Sequence, residues 1–279
     1  MTARTWPLVL VAGLALWVAS AAVLALTEDE ILLPTVVLVG SFVVPVAVIF
    51  WFFEHDGHTE LSARRLVTAF FVAGVVGLLG AAVLEVWLLP SRLLPNIWVG
   101  LIEEATKAVG VIVFARGLHR HTIRDGVLLG VVVGLGFGAF ESAGYTLTYG
   151  AGANGYSLPD MLNEEILRAV IAPFCHGLWT GIFGAAWFAS GARPSWRALG
   201  AYAGAVGLHS LWDASSTAGI VVAVLASGDQ TLRDTLAAGE LPQPAALDDA
   251  YLYGAVQWGL MILVAALGAV LIRRRWLRE

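Results

Sequence analysis

The chain has 279 residues, 58% of them hydrophobic and 13% charged, with a formal net charge of −5 and a mean hydropathy of +0.79. Soluble domains carry about 25% charged residues, so this composition excludes a soluble globular protein and points to helices in lipid. The charge is spread along the chain, which excludes a nucleic-acid-binding tail, and the lone cysteine, Cys175, excludes an internal disulfide or a paired-cysteine metal motif.

In chain order, eight apolar runs reach the roughly 17–25 residues that a membrane crossing needs. The first, Pro7–Leu26, follows Arg4 and ends in small residues (Ala19, Ala21, Ala22, Ala25) that resemble a leader-cleavage region. Its apolar stretch outruns a leader core of about 7–15 residues, so it is expected to stay as an anchor. Ile31–Phe53 and Leu66–Leu89 follow. Ile97–Ala115 is predicted to span despite its three charges, because Ile97–Leu101 and Ala108–Ala115 flank them with apolar residues. Gly126–Tyr149, Ile166–Ala189 (interrupted by Pro173), Ala198–Leu225 and Gly254–Ile272 complete the set. The expected fold is all-α: a polytopic transmembrane helix bundle of about eight spans forming one membrane domain, residues 1–279. Gly150–Glu165 and Ser227–Ala250 are the longest outer connections. The second reads as a solvated connector, with a short surface helix near Gln230–Ala238, or as a flap over an outer mouth.

Arginine placement orients the bundle. With the N-terminus cytoplasmic, the inner segments hold Arg4, Arg64, Arg65, Arg116, Arg120, Arg124, Arg193, Arg197, Arg273, Arg274, Arg275 and Arg278, twelve of the sixteen basic residues. The outer connections hold Arg92, Arg168 and Arg233 beside the acidic Glu28, Asp29, Glu30, Asp229, Asp234, Glu240, Asp248 and Asp249. Both termini are therefore expected on the cytoplasmic side.

Four consecutive runs carry ionisable groups where hydrocarbon makes each cost several kcal/mol unless it pairs, meets water or binds a metal. They are Glu103, Glu104 and Lys107, then Glu141, then His176, then His209 and Asp213. Counted inward from the outer end of each run at about 1.5 Å per residue, all but His209 fall roughly 9 to 18 Å deep, and His209 roughly 24 Å. The runs alternate in direction, so no sequence spacing forces that agreement; a shared polar cavity accounts for it. Glu103 and Lys107 are four apart and can pair on one helix face, as can His209 and Asp213. Glu104 is turned about 100° from Glu103 and is expected to orient a group on a neighbouring helix. Phe137 lies one turn from Glu141, and Gly130, Gly134, Gly136, Gly138 and Gly144 in the same run allow close helix packing. His176–Gly–Leu–Trp179 echoes His209–Ser–Leu–Trp212, placing two histidines in equivalent settings. Arg168 reads as a snorkelling side chain near Glu164 and Glu165, and Glu85 as interfacial, so both are left outside the site.

Two histidines and several carboxylates suit a zinc-like ion with one position open for water, although no HExxH occurs. Without a metal, a buried glutamate beside a histidine could still deprotonate water. Either route is hydrolysis. The ordered set Glu103–Glu104–x–x–Lys107, Phe137–x–x–x–Glu141, His176 and His209–x–x–x–Asp213 resembles the PrsW family of intramembrane proteases. That family is related to the CAAX prenyl endopeptidases and abortive-infection proteins, which carry EExxxR, FxxxH and HxxxN. The resemblance covers 97–225, the expected catalytic four-helix core, flanked by 1–96 and 226–279. It implies an endopeptidase of a bacterial plasma membrane that cuts a membrane protein, an anti-sigma factor in the family's best-known role, in or near the outer leaflet. By resemblance Glu103 and Glu104 form the catalytic pair, supported by Lys107 and Asp213. Glu141, His176 and His209 would bind Zn2+ or, in a metal-free mechanism, water. A proton- or ion-coupled transporter, or a non-catalytic membrane scaffold, would use the same polar residues differently.

Overall fold

The computed structural model describes residues 4–56, 59–89, 95–152, 155–171, 175–243 and 249–276. Arg92, Pro173, Asp248 and Arg278, invoked above, lie outside the described residues.

The described chain is a helical bundle. α1 (Trp6–Thr27) begins with a proline in its first turn and packs along α2 (Leu33–Asp56) at the edge of the molecule. α3 (Ala63–Thr68), a π-turn at Ala69–Ala73 and α4 (Gly74–Leu88) form one continuous apolar rod. α5 (Pro95–Ala115), α6 (Ile123–Gly150), α8 (His176–Ala189) and α9 (Trp196–Ala226) form the centre, with α7 (Leu158–Ile171) resting on α2 and α6. A minimal hairpin of β1 (Ala151–Gly152) and β2 (Gly155–Tyr156) joins α6 to α7. α10 (Gln230–Ala237), capped by Asp229, lies outside on α9, and α11 (Ala250–Trp276) packs against α8 and α9. Polar residues mark the starts: Ser62 Oγ, Thr122 Oγ1 and Ser195 Oγ each accept from a backbone N–H three residues on.

Among the described residues seven helical segments are long and apolar enough to cross a membrane, which makes this a multi-pass membrane protein. α5 falls outside that set because of its charges. It has span length, 21 residues, and runs between α4 and α9.

The sixth run, expected to be interrupted at Pro173, starts earlier than its apolar stretch. Its described residues form α7, which begins at Leu158, and α8, which begins after the non-helical Cys175. The connection expected over Gly150–Glu165 is shorter, since α6 runs to Gly150 and α7 starts at Leu158. α7 is amphipathic: Met161 and Glu165 are buried, the latter accepting from Trp17 Nε1 at 2.8 Å.

α6 and α8 set the geometry of the centre. Nearly every residue of α6 from Asp125 to Ala139 is buried. Gly126, Gly130 and Gly134 recur at intervals of four, and a Cβ on each would strike the α8 backbone at Gly184, Thr180 and His176 respectively. Only hydrogen at these positions lets the two backbones meet. One turn further, a Cβ on Gly138 would lie 3.0 Å from the His176 ring. The glycine stripe thus brings the first residue of α8 against α6. Gly100 does the same between α5 and α9, where a Cβ would sit 2.9 Å from Ser210 Oγ.

Candidate active site

The seven expected residues converge on one cluster contributed by α5, α6, α8 and α9. Lys107 stands at its centre, fully enclosed, and donates from Nζ to Glu103 Oε2 (3.0 Å), Glu104 Oε1 (2.9 Å) and His176 Nδ1 (2.8 Å). Its ammonium also lies 4.1 Å from the Phe137 ring centroid, so the fourth side of the charge meets an aromatic face. The three residues lie within one turn and a half of α5, and helix geometry alone lets one lysine reach both carboxylates.

His209 joins from α9. Its Nδ1 lies 3.1 Å from Glu104 Oε1, and its Nε2 faces Glu103 Oε2 at 3.7 Å and Asp213 Oδ2 at 3.5 Å. Glu104 thus contacts the imidazole of a neighbouring helix. His176 Nε2 lies 2.9 Å from Glu141 Oε2. Lysine has no acceptor, so the Lys107 contact makes His176 Nδ1 the acceptor and assigns the ring proton to Nε2, directed at Glu141. The two His-x-Leu-Trp segments face each other: the imidazoles are 5.4 Å apart, and the Trp179 ring lies 4.9 Å from His209 and 5.8 Å from Trp212.

Arg168 is not a snorkelling side chain. From α7 it turns inward, donating from Nη2 to Glu141 Oε2 at 2.6 Å and from Nε to Ser142 Oγ at 3.0 Å, with its guanidinium 4.2 Å from the Tyr145 ring centroid. Snorkelling presumed an isolated cation, whereas Glu141 supplies a buried anion within reach. Glu85 also faces the site. It is half-buried on α4 and shares with Glu103, Glu141 and Tyr145 a cleft of about 280 Å³ between α4 and α6. Sequence reading missed both because each needs a partner from another helix. A signal for Arg168 was available: Ser157–Leu–Pro–Asp160 is a helix start, and a helix begun there puts Met161, Glu165 and Arg168 along one side.

A second cavity, about 70 Å³, is walled by Glu141, Arg168, His176, His209 and Asp213. With liquid water occupying about 30 Å³ per molecule, it has room for roughly two waters beside the cluster. A groove of about 630 Å³ along α5, α8 and α9 is apolar and holds none of these residues, so size does not locate the chemistry.

One ligand atom each of Glu103, His176 and His209 lie within 4.8 Å of one another, and all three residues are buried. A carboxylate stands behind each imidazole, Glu104 behind His209 and Glu141 behind His176, as outer partners of metal-binding histidines do. By donor type the set suits a zinc-like ion, while the Lys107 ammonium stands at one Glu103 oxygen and at the His176 Nδ1 lone pair. Glu141, expected as a ligand, stands behind His176 and is not part of that close triad.

A bundle of membrane-crossing helices that closes acids, imidazoles and one ammonium around a water-sized space defines a membrane-embedded enzyme of hydrolytic type. The chain belongs to the PrsW family of intramembrane metalloproteases, whose sequence profile matches residues 6–230. It is thus a membrane-embedded peptidase. No match was found among curated proteins or among solved structures.

Proposed function

We propose that the protein is an intramembrane endopeptidase that hydrolyses a peptide bond of a membrane-embedded protein in or near the outer leaflet of a bacterial plasma membrane, with both of its own termini cytoplasmic. The observation that carries this reading is the convergence of Glu103, His176 and His209 beside a cavity sized for water.

In this reading Lys107 holds Glu103 through Oε2, and the other Glu103 oxygen takes a proton from water in the cleft that Glu103 lines with Glu85 and Glu141, as that water attacks the carbonyl carbon. The same group returns the proton to the departing amine nitrogen as the C–N bond breaks. His209, its Nδ1 turned to Glu104, presents Nε2 to the reacting groups, and Asp213 steadies it from the cavity wall. Glu103, His176 and His209 would hold Zn2+, which when bound supplies an acidified water and polarises the carbonyl. Lys107 already donates to Glu103 Oε2 and to the single lone pair of His176 Nδ1, so an ion would bind there only with the ammonium displaced from that nitrogen. The substrate is a protein with a transmembrane segment, of the anti-sigma-factor kind by resemblance.

The test is cleavage of a single-span substrate in proteoliposomes by wild type, Glu103→Ala and His209→Ala, with bound metal measured in each preparation. Cleavage by wild type and its loss in both variants is expected. Retained cleavage in both would remove the assignment. The break between α7 and α8 is a feature that transporters share. Ion flux that disappears in the same variants, without cleavage by wild type, would favour that alternative.

A further inference from the structure

We propose that Arg168 is a positioning residue for the hydrolysis, acting through Glu141 to fix the orientation and tautomer of His176; this rests on the peptidase reading above. Two bonds tie its guanidinium to consecutive residues of α6. Nη2 donates to Glu141 Oε2 at 2.6 Å, and Nε donates to Ser142 Oγ at 3.0 Å. The Tyr145 ring, one turn along the same helix, covers the guanidinium at 4.2 Å, and Glu164 Oε1 lies 4.0 Å from Nη1. The planar fork is held by four neighbours, so its direction is set before any substrate arrives.

Glu141 Oε2, the oxygen that receives Arg168, is also the oxygen that faces His176 Nε2 at 2.9 Å. A carboxylate bound to the imidazole alone could rotate about its side-chain torsions. Bound to both groups through one oxygen, it is clamped between α7 and α8. The clamp keeps the ring proton on His176 Nε2 and turns Nδ1 toward Lys107 and the catalytic cluster. Charge supports the same role. Glu103, Glu104, Glu141 and Asp213 face one another across the site, and among the described residues Lys107 and Arg168 are the lysine and arginine paired with this group. Lys107 is engaged with the two glutamates of α5 and with His176, which leaves Glu141 to Arg168. Arg168 walls the same small cavity as His176, and the bonds that connect the two side chains run through Glu141 Oε2.

The experiment uses the full-length protein in proteoliposomes with the single-span substrate that wild type cleaves. Arg168→Met is expected to lower kcat by about 10–100-fold, the range typical of partners behind a reactive imidazole, with KM within about twofold of wild type. Arg168→Lys, which keeps the cation but cannot reach Glu141 and Ser142 as a fork, is expected to fall between the two. If Arg168→Met does not fold, Arg168→Gln replaces it with the same expected loss. The double variant with Glu141→Gln is expected to be no slower than Glu141→Gln alone, because the arginine acts through that carboxylate. Nitrogen NMR of the His176 ring gives a readout independent of turnover: a single Nε2–H form in wild type and a mixture of tautomers in Arg168→Met. Wild-type kcat in the uncharged variant, multiplicative losses in the double variant, or an unchanged tautomer would each overturn the inference. Cleavage by wild type alongside any of these leaves the peptidase reading intact, and absence of wild-type cleavage would fail that reading instead.

Discussion

Lys107 shows how a buried ion cluster can be both a liability and a specification. Three acceptors converge on one ammonium from which water is excluded. Removing one partner of a buried ion pair leaves the others uncompensated and costs about 3–5 kcal/mol. Lys107→Met is therefore expected to destabilise the protein by an amount of that order, read as a lowered unfolding midpoint in detergent. Glu103→Gln keeps the shape of the side chain but removes its basicity. It is expected to lower kcat by at least about 10²-fold while the folded state survives. The α5 pairings were legible from sequence because spacings of three and four fix neighbours on a single helix. The junction of Arg168 with Glu141 was not, since residues 27 apart meet only when α7 folds back along α6.

At the level of the helices, the glycine stripe of α6 decides where His176 lies. A Cβ at Gly134 would collide with the His176 carbonyl, so Gly134→Val must push α8 away from α6. The expected outcome is loss of cleavage and a lower unfolding midpoint. Gly204→Val on α9, where a Cβ meets nothing within 4 Å, serves as the matched control and should leave both unchanged. A wild-type rate in Gly134→Val would show that the close approach is dispensable. The glycines could be read from sequence as packing residues. Their link to the histidine could not, because it depends on the rotation of α6 about its axis. The facing of α7 is a similar case: Pro173 marked an interruption of the sixth run, but only the packed bundle shows α7 turning one polar side inward to meet Glu141 and Trp17.

For the molecule as a whole, orientation and metal content give two further tests. With Cys175 replaced, single cysteines in the Arg116–Ile123 connection and near Gly239 should label from opposite faces of sealed vesicles, the first from the cytoplasmic face. Labelling of both from one face would reject the orientation inferred from the arginines. Removing metal with a membrane-permeant chelator should lower both cleavage and the unfolding midpoint, with zinc restoring each, because a bound ion stabilises the folded state by mass action. An unchanged midpoint and rate after complete removal would leave the metal-free route through Glu103.

Lipid and water act on each segment separately, so an all-helical membrane bundle and the approximate limits of its apolar runs can be read residue by residue. The same local costs mark Glu103, Glu104, Lys107, Glu141, His176, His209 and Asp213 as residues in need of partners. Choosing those partners is a property of several helices at once. Only the packed bundle joined Glu104 to His209, Lys107 to His176 and Arg168 to Glu141, because each contact requires the rotation, depth and approach of two helices to be set together.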